Sequence, residues 1–322
     1  MGKQNLPKID ENSVMEVIKK EFKNLKLKDI VQYPAGWVHK KYKISFLEKY
    51  DKVVLRFGAE KENVHFEDDH TTDKEIYVAD LISKKTDVKV PAILSRGEYR
   101  GLEYLIMEDL DGPNLEEAGK VYNDQTILKI MCQWGGVMAQ IHNSLKATNF
   151  GYIEAKRIIK PFNLWSDMFK SYTSIKLDSE IIPLELREAS KGYIERKIKT
   201  LDLERDPTLI LYDINSMNII VRDGNLRGLI DFDLALYGHK SLDFMFPFLD
   251  RSIGNVKTKE PYVKGYLEGG GKLPHHLDEL NKLNTLNFLM STIINYHGAT
   301  GHRATWSAEY TKKLEQFLKE NV

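Results

Sequence analysis

Three polar side chains stand beside apolar segments in the stretch LYDINSMNIIVRDGNLRGLIDFDLA, residues 211–235. Unpaired polar groups are costly to bury, so this arrangement indicates that the three side chains share a ligand. Amide and carboxylate oxygens suit a hard cation such as Mg²⁺, which often takes only one or two protein ligands beside phosphates and water. Asn218 and Asp231 are therefore candidate metal ligands. Asp213 lies where a strand-like segment ends, and is a candidate base that orients a nucleophile.

A β-hairpin is predicted to bring the two candidate metal ligands together. The Asp-Gly dipeptide at 223–224, flanked by strand-forming residues, is a strong signal for a two-residue turn. With such a turn, Asn218 faces Leu229, and Asp231 becomes its diagonal neighbour on the same face of the ribbon. A longer loop would shift the register and move Asp231 to the opposite face. The strands of this hairpin are predicted over 217–222 and 225–231.

The alternative is that these residues have only a local role. Asp and Asn side chains often form turns with their own backbone, and Asp213 and Asn218 would each fit that description. For any single residue this interpretation is the simpler one. The set of three at this spacing favours the metal site.

The segment resembles the aminoglycoside phosphotransferase family, a branch of the protein-kinase-like superfamily that includes choline kinase and other small-molecule kinases. The family pattern is His-Gly-Asp, then Asn, then Ile-Asp-Phe or Ile-Asp-Trp. Here the pattern falls on Leu211-Tyr212-Asp213, on Asn218 and on Ile230-Asp231-Phe232. The resemblance implies that Asp213 deprotonates the acceptor hydroxyl, while Asn218 and Asp231 hold Mg²⁺ on ATP or GTP. Leu-Tyr replaces the family's His-Gly, so backbone support for this loop must come from elsewhere or be absent.

The N-terminal third of the chain fits the small lobe of such a fold. Hydrophobic spacing predicts an amphipathic helix over 11–22 and a second helix over 73–85. An antiparallel sheet with a helix laid against it is expected. Its strands are predicted within 29–46, over 52–57 and on both sides of Gly97 to Gly101.

The resemblance also assigns nucleotide-binding residues in this lobe. Arg56 stands where the family carries Lys or Arg toward the phosphates, and Glu75 stands where a helix supplies its carboxylate partner. The alternative is a charge on an edge strand and a solvated helix residue. The phosphate-covering turn contains Gly36 alone, without a GxGxxG pattern.

The segment YLIMEDLDG resembles the family's hinge between lobes. By that resemblance Met107 flanks the adenine, and backbone groups of Glu108 and Leu110 pair with the edge of the base. Helical spacing dominates after this segment, apart from the hairpin and the short strand before it. The expected fold is therefore α+β and bilobal, with a nucleotide-binding lobe over 1–110 and a helical lobe over 111–322 that holds the catalytic loop, metal site and acceptor pocket.

Composition narrows the class of protein. The 322 residues carry 47 basic and 47 acidic side chains, which argues against a general affinity for nucleic acid. The single cysteine, Cys132, excludes an internal disulfide. The longest apolar stretch, LNFLMSTIINY, is too short and too polar to span a membrane, and the N-terminus has no signal-peptide pattern. We expect a soluble cytoplasmic protein without a membrane partner.

The expected activity is transfer of a γ-phosphoryl group from ATP or GTP to a hydroxyl of a small molecule. An aminoglycoside antibiotic of the hygromycin type, or a similar hydroxylated amine, is the expected acceptor, and anionic residues would meet its ammonium groups. Asp167, Asp233 and Glu268 are candidates for that role. Two alternatives stay open: a kinase of choline, homoserine or another metabolite, and a kinase-like module that binds nucleotide without turnover.

Overall fold

A computed structural model gives the fold of most of the chain. It describes residues 9–33, 40–47, 52–58, 72–154, 156–203, 205–213, 215–245 and 257–321. Gly36, predicted in the phosphate-covering turn, lies outside these residues.

The small lobe is a five-stranded antiparallel sheet in the order β1-β2-β3-β5-β4, with helices α1 and α2. These elements agree with the helices and strands predicted from hydrophobic spacing. Their bounds are α1 Glu11–Glu21, β1 Leu27–Gln32, β2 Lys40–Phe46, β3 Val53–Phe57, α2 Thr72–Lys85, β4 Ile93–Tyr99 and β5 Leu102–Glu108.

The two faces of the sheet have different partners. Alternate residues of β2, including Ile44, are buried against Val14 and Ile18 of α1 in one apolar core. Lys41 and Lys43 alternate with those residues and so project from the other face. Helix α2 contributes Ile82 to a separate core that it shares with helices of the large lobe. Helix α1 therefore covers one face of the sheet, while α2 packs against part of the charged face, where Glu75 pairs with Arg56.

Helices provide most of the large lobe. Helices α4 and α7 cross at very close range, because a Cβ on Gly265 would lie 1.7 Å from the carbonyl oxygen of Cys132, and one on Gly135 would lie 2.0 Å from that of Tyr262. The helices are α3 Leu115–Ala118, α4 Asp124–Ser144, α5 Trp165–Leu177, α6 Leu184–Lys197, α7 Lys259–Glu268, α8 Leu277–Asn295 and α9 Trp306–Asn321. None of the helices within the described ranges combines the length and apolar character needed to cross a membrane.

A second sheet in the large lobe corrects the expectation that only the hairpin and one short strand interrupt the helices. It has the order β7-β6-β11-β8, and β6 and β7 form a hairpin ahead of α5. Strand β8 is the short strand predicted before Asp213, whereas β11 is only three residues long, too short for an alternating pattern to be recognised in the sequence. The strands of the large lobe are β6 Phe150–Glu154, β7 Arg157–Phe162, β8 Thr208–Ile210, β9 Ile219–Arg222, β10 Asn225–Leu229 and β11 Leu236–Gly238.

Candidate active site

The loop after β8 is held by a buried carboxylate. Asp243 accepts hydrogen bonds from the backbone N–H groups of Leu211, at 3.1 Å, and of Tyr212, at 2.9 Å. Its side chain is fully buried, and Oδ2 also lies 3.1 Å from Nε2 of His142, whose Nδ1 is 3.0 Å from the Tyr266 hydroxyl. The backbone support that the Leu-Tyr replacement placed in question is therefore supplied by Asp243.

The residue before Asp213 adopts an uncommon backbone conformation. Tyr212 has φ 64°, in the left-handed region that favours glycine, and it occupies the position where the family pattern has Gly. A non-glycine residue held in such a conformation costs on the order of 1–3 kcal/mol, which the surrounding structure must offset. Tyr212 packs against the core formed by α5, α6, α8 and α9, and its hydroxyl lies 3.5 Å from Nδ2 of Asn287.

Asp213 is held by the short 3₁₀ turn that follows it, Ser216–Asn218. Its carboxylate accepts from Nδ2 of Asn218 at 2.8 Å and from Nδ2 of Asn215 at 2.9 Å. Burial first, and then the negative charge of Asp231, raise the pKa of Asp213 to about 6. Local turns are also present, since Asn215 caps the amide of Met217 at 2.7 Å. The side chain of Asn218 also donates to the backbone carbonyl oxygen of Asp213 at 3.3 Å.

The hairpin has the predicted two-residue turn but a different register. Arg222 pairs with Asn225 as predicted, whereas a β-bulge between Leu226 and Gly228 shifts the remaining pairs by one. The predicted pairing of Asn218 with Leu229 is therefore wrong, because Leu229 faces Ile219.

The bulge lies against other segments of the chain. Nε of Arg227 donates to the carbonyl oxygen of Leu110 in the hinge at 3.3 Å. Gly228 lies against the segment before β4, where a Cβ would be 2.6 Å from the carbonyl oxygen of Lys89, and against the side chain of Leu110. The hairpin is thus fitted to the connection between the lobes.

Asp231 reaches the site through its backbone conformation instead of through strand alternation. It follows the end of β10 and has φ 70°. Its Oδ2 accepts from Nζ of Lys41 at 2.7 Å, while Oδ1 is buried without a hydrogen-bond partner. The backbone N–H of Ile230 donates to the carbonyl oxygen of Asn218 at 3.1 Å, so the two predicted metal ligands lie on adjoining segments.

The donor set fits a divalent cation of the Mg²⁺ type. The orphaned Oδ1 of Asp231 needs a positively charged or donating partner, and Asn218 uses its NH₂ group for Asp213, which leaves its amide oxygen for a ligand. Within the described residues, no three His, Cys, Asp or Glu side chains form a metal-binding group. A site with one carboxylate and one amide matches Mg²⁺, which takes its remaining ligands from phosphates and water.

Two cations from the small lobe complete the cleft. Arg56 on β3 forms a buried ion pair with Glu75 on α2; the two side chains are 2% and 6% exposed. Burial raises the pKa of Glu75, and the positive charge of Arg56 opposes this effect. Lys41 is the cross-strand partner of Arg56 and reaches Asp231. Burial lowers the pKa of Lys41, but the charge of Asp231, the hydrogen bond to it and the charge of Glu75 together raise that pKa above its usual value, so the ammonium group is charged at neutral pH.

The predicted hinge residues follow the end of β5. Met107 is buried on that strand, and the backbone N–H of Glu108 donates to the carbonyl oxygen of Ala92 at 2.8 Å. A base edge would therefore have to pair with the carbonyl group of Glu108 and the N–H group of Leu110, whose own carbonyl accepts from Arg227.

The candidate acceptor-binding acids lie in different places. Asp233 is buried, and its charge acts on both Asp213 and Glu75. Glu268 is exposed on α7, where its carboxylate is 3.8 Å from Sγ of Cys132 on α4, and Asp167 is exposed on α5. Of the three, Asp233 is the one that lies beside the candidate catalytic residues.

Lys41 was not predicted as a site residue. Three lysines stand within four positions at the start of β2, and the sequence pattern does not distinguish the one that faces the cleft. Its partner Asp231 lies 190 positions away, so only the tertiary structure reveals the contact.

The protein family and the solved structures that the chain matches agree with its fold. Residues 29–280 match the phosphotransferase enzyme family, and the chain therefore belongs to that family. The particular solved structures that it resembles include aminoglycoside phosphotransferase APH(4)-Ia, with a TM-score of 0.73 and 14% identity over 97% of this chain and 100% of that one. A ternary complex of a thermostable mutant of that enzyme with ADP and hygromycin B gives a TM-score of 0.70 at 14% identity, over 96% and 99% of the two chains.

A second kind of kinase has the same fold. A putative fructosamine-3-kinase from Thermobifida fusca gives a TM-score of 0.67 at 14% identity, over 95% of this chain and 100% of that one. At such identity these structures establish a common bilobal kinase-like fold and not a common substrate.

One curated protein also matches over part of its length. The AP-2 complex subunit beta of Schizosaccharomyces pombe is 26% identical over 195 residues, which is 55% of this chain but only 28% of that protein. A match over so small a share of the relative says nothing about the partners of this chain.

Proposed function

We propose that the protein is a Mg²⁺-dependent kinase that transfers the γ-phosphoryl group of ATP or GTP to a hydroxyl group of a small molecule. The observation that carries the proposal is the group formed by Asp213, Asn218 and Asp231. Asp213 and Asn218 are hydrogen-bonded, and the adjoining Asp231 has a buried carboxylate oxygen without a partner. Membership of the phosphotransferase enzyme family supports it.

Each residue has a role in this reaction. Asp213 accepts the proton of the attacking hydroxyl, and its two asparagine partners hold the carboxylate in one orientation. Asn218 and Asp231 would hold Mg²⁺, which when bound neutralises charge on the β- and γ-phosphates. Phosphoryl transfer depends mainly on positioning and charge stabilisation, so the small-lobe cations should matter as much as the base.

The nucleotide would lie between the lobes. We assign residues 1–110 to the nucleotide-binding lobe and residues 111–322 to the lobe that carries the catalytic loop and acceptor pocket. Met107 would flank the adenine, and the Glu108 carbonyl and the Leu110 N–H would pair with its edge. The bond from Arg227 to the hinge supports this assignment, because it ties the metal-site hairpin to the adenine side of the cleft.

The acceptor is proposed to be an aminoglycoside of the hygromycin type or a similar hydroxylated amine. Asp233 adds a second buried carboxylate beside Asp213, and such a pair would attract the ammonium groups of an aminoglycoside. A ketosamine acceptor is the second candidate, favoured by the similarity to a fructosamine-3-kinase over almost the whole chain.

An acceptor screen tests the proposal. Release of ADP or GDP would be followed in Mg²⁺ with hygromycin B, other aminoglycosides, ketosamines, choline and homoserine, and any product would be checked by mass spectrometry for an added phosphoryl group. We expect phosphorylation of one acceptor class and its loss in the Asp213→Ala variant. Tight nucleotide binding without transfer to any acceptor would instead identify a binding module.

A binding measurement distinguishes these outcomes from a chain that binds no nucleotide. Saturating nucleotide with Mg²⁺ should stabilise the folded chain by about 2.7 kcal/mol at a ligand concentration one hundred times the dissociation constant. The absence of any Mg²⁺-dependent shift in thermal unfolding would exclude the proposed nucleotide site.

A further inference from the structure

Lys41 contacts the carboxylate of Asp231, the proposed metal ligand. Its Nζ lies 2.7 Å from Oδ2 of Asp231, and the charge of Glu75 also acts on it. The other oxygen of Asp231 is buried without a partner. A single ammonium group therefore provides part of the positive charge that a divalent cation would bring to this carboxylate.

The neighbouring cation is far less able to change partners. Arg56 lies opposite Lys41 on the adjacent strand, is 2% exposed and is paired with the equally buried Glu75. Moving its guanidinium group toward a phosphate would leave a buried carboxylate without its counter-ion, which is strongly unfavourable. Lys41 is 25% exposed and its partner 18%, and a lysine side chain has several rotatable bonds, so it can exchange partners at low cost.

We propose that Lys41 has two alternating partners: the carboxylate of Asp231 in the nucleotide-free protein, and the phosphates of the nucleotide once a metal ion occupies Asp231. This inference rests on the proposed function and adds to it a phosphate ligand from β2, beside the cation on β3. The metal ion and the ammonium group compete for Asp231, and the released ammonium group neutralises phosphate charge.

The position of the contact suits a phosphate ligand. Lys41 joins β2 in the small lobe to the end of the metal-site hairpin, across 190 positions of sequence. A side chain at that place contacts the cleft from the lobe expected to cover the phosphates.

Two binding measurements on the full chain test the proposal, and they have opposite expected signs. In the Lys41→Met variant, affinity for Mn²⁺ without nucleotide, followed by electron paramagnetic resonance, should rise several-fold, because the competing ammonium group is gone. Affinity for ADP at saturating Mg²⁺, followed by calorimetry, should fall about tenfold or more, because a charged hydrogen bond to phosphate is lost. A Lys41→Arg variant should recover part of the ADP affinity.

The control has the same change of charge on the same sheet. Lys28 is exposed on β1, and Lys28→Met should change neither affinity by more than twofold. Unchanged ADP affinity in Lys41→Met would exclude the phosphate contact, and unchanged Mn²⁺ affinity would exclude the competition for Asp231. If the unmodified chain binds no nucleotide, the proposed function fails together with the phosphate role, whereas binding that is unaffected by Lys41→Met overturns this inference alone.

Discussion

The two halves of the cleft are held by different kinds of interaction. On the large-lobe side, the fully buried Asp243 fixes the loop of Asp213 through backbone N–H groups. On the small-lobe side, the side chains of Arg56 and Lys41 form ion pairs with Glu75 and Asp231. Backbone bonds to a buried acceptor keep one geometry, whereas a partly exposed ion pair such as that of Lys41 can change partners. The loop of Asp213 is therefore set by the fold, while the Lys41 contact on the small-lobe side is proposed to respond to a ligand.

The largest expected effect concerns the large-lobe side and separates turnover from nucleotide affinity. Asp213→Ala should lower turnover about 10²–10⁴-fold, equivalent to roughly 3–5.5 kcal/mol of transition-state stabilisation, because the base is lost. Nucleotide affinity should stay nearly unchanged, since Asp213 is not assigned a contact with the nucleotide. Steady-state kinetics on the identified acceptor and calorimetry with ADP would measure both quantities.

The matched control for this variant is Asp206→Ala. Asp206 is an exposed aspartate in the segment before β8, where it pairs with Lys146 at 2.7 Å. Its removal should leave turnover within twofold of the unmodified chain. Full activity of Asp213→Ala would show that the loop positions no base.

The next effect tests whether the small-lobe pair is held by burial. Arg56→Met should lower the free energy of unfolding by about 3–5 kcal/mol, because Glu75 is left buried without its counter-ion. Replacing both residues, as in Arg56→Met with Glu75→Leu, should restore most of that loss. Urea unfolding would measure the three proteins, and both variants should bind nucleotide weakly. Equal destabilisation in the single and double variants would contradict the account.

Whether the sequence predicts a feature on either side of the cleft depends on how many positions separate the two residues in contact. The Asp-Gly turn and the loop from Asp213 to Asn218 are local, so residue type and spacing were sufficient to indicate them. The sequence does not predict the bulge at Arg227, whose side chain contacts the hinge carbonyl of Leu110, 117 positions away. The role of Lys41 depends on a contact across 190 positions and escaped prediction for the same reason.

A smaller effect distinguishes loop support from general packing. Asp243→Asn keeps one acceptor oxygen, but in either orientation its NH₂ group faces a backbone N–H, that of Tyr212 or that of Leu211 beside His142. We expect a loss of about 1–3 kcal/mol in unfolding free energy, together with lower turnover from the displaced loop of Asp213. Urea unfolding and kinetics at saturating nucleotide would measure the two changes.

The control for this variant is a carboxylate with similar bonds far from the reaction. Asp202 accepts from the backbone N–H and the hydroxyl of Ser166 at the start of α5, at 3.0 and 2.6 Å. Asp202→Asn should lower stability without lowering turnover. If both variants lowered turnover in proportion to lost stability, Asp243 would act through packing and not through the loop.

The smallest expected effect concerns an exposed ion pair on α2, the helix that also carries the buried Glu75. Lys84 pairs with Asp80 on α2 at 2.8 Å, but the two side chains are 68% and 48% exposed, so solvent screens the pair. Lys84→Met should change the unfolding free energy by less than about 0.5 kcal/mol and leave ADP affinity unaltered. A loss as large as that of Arg56→Met would mean that charge pairing on α2 matters regardless of exposure. The contrast between an exchangeable Lys41 and a fixed Arg56 would then lose its physical basis, because that contrast depends on burial deciding which ion pair can open.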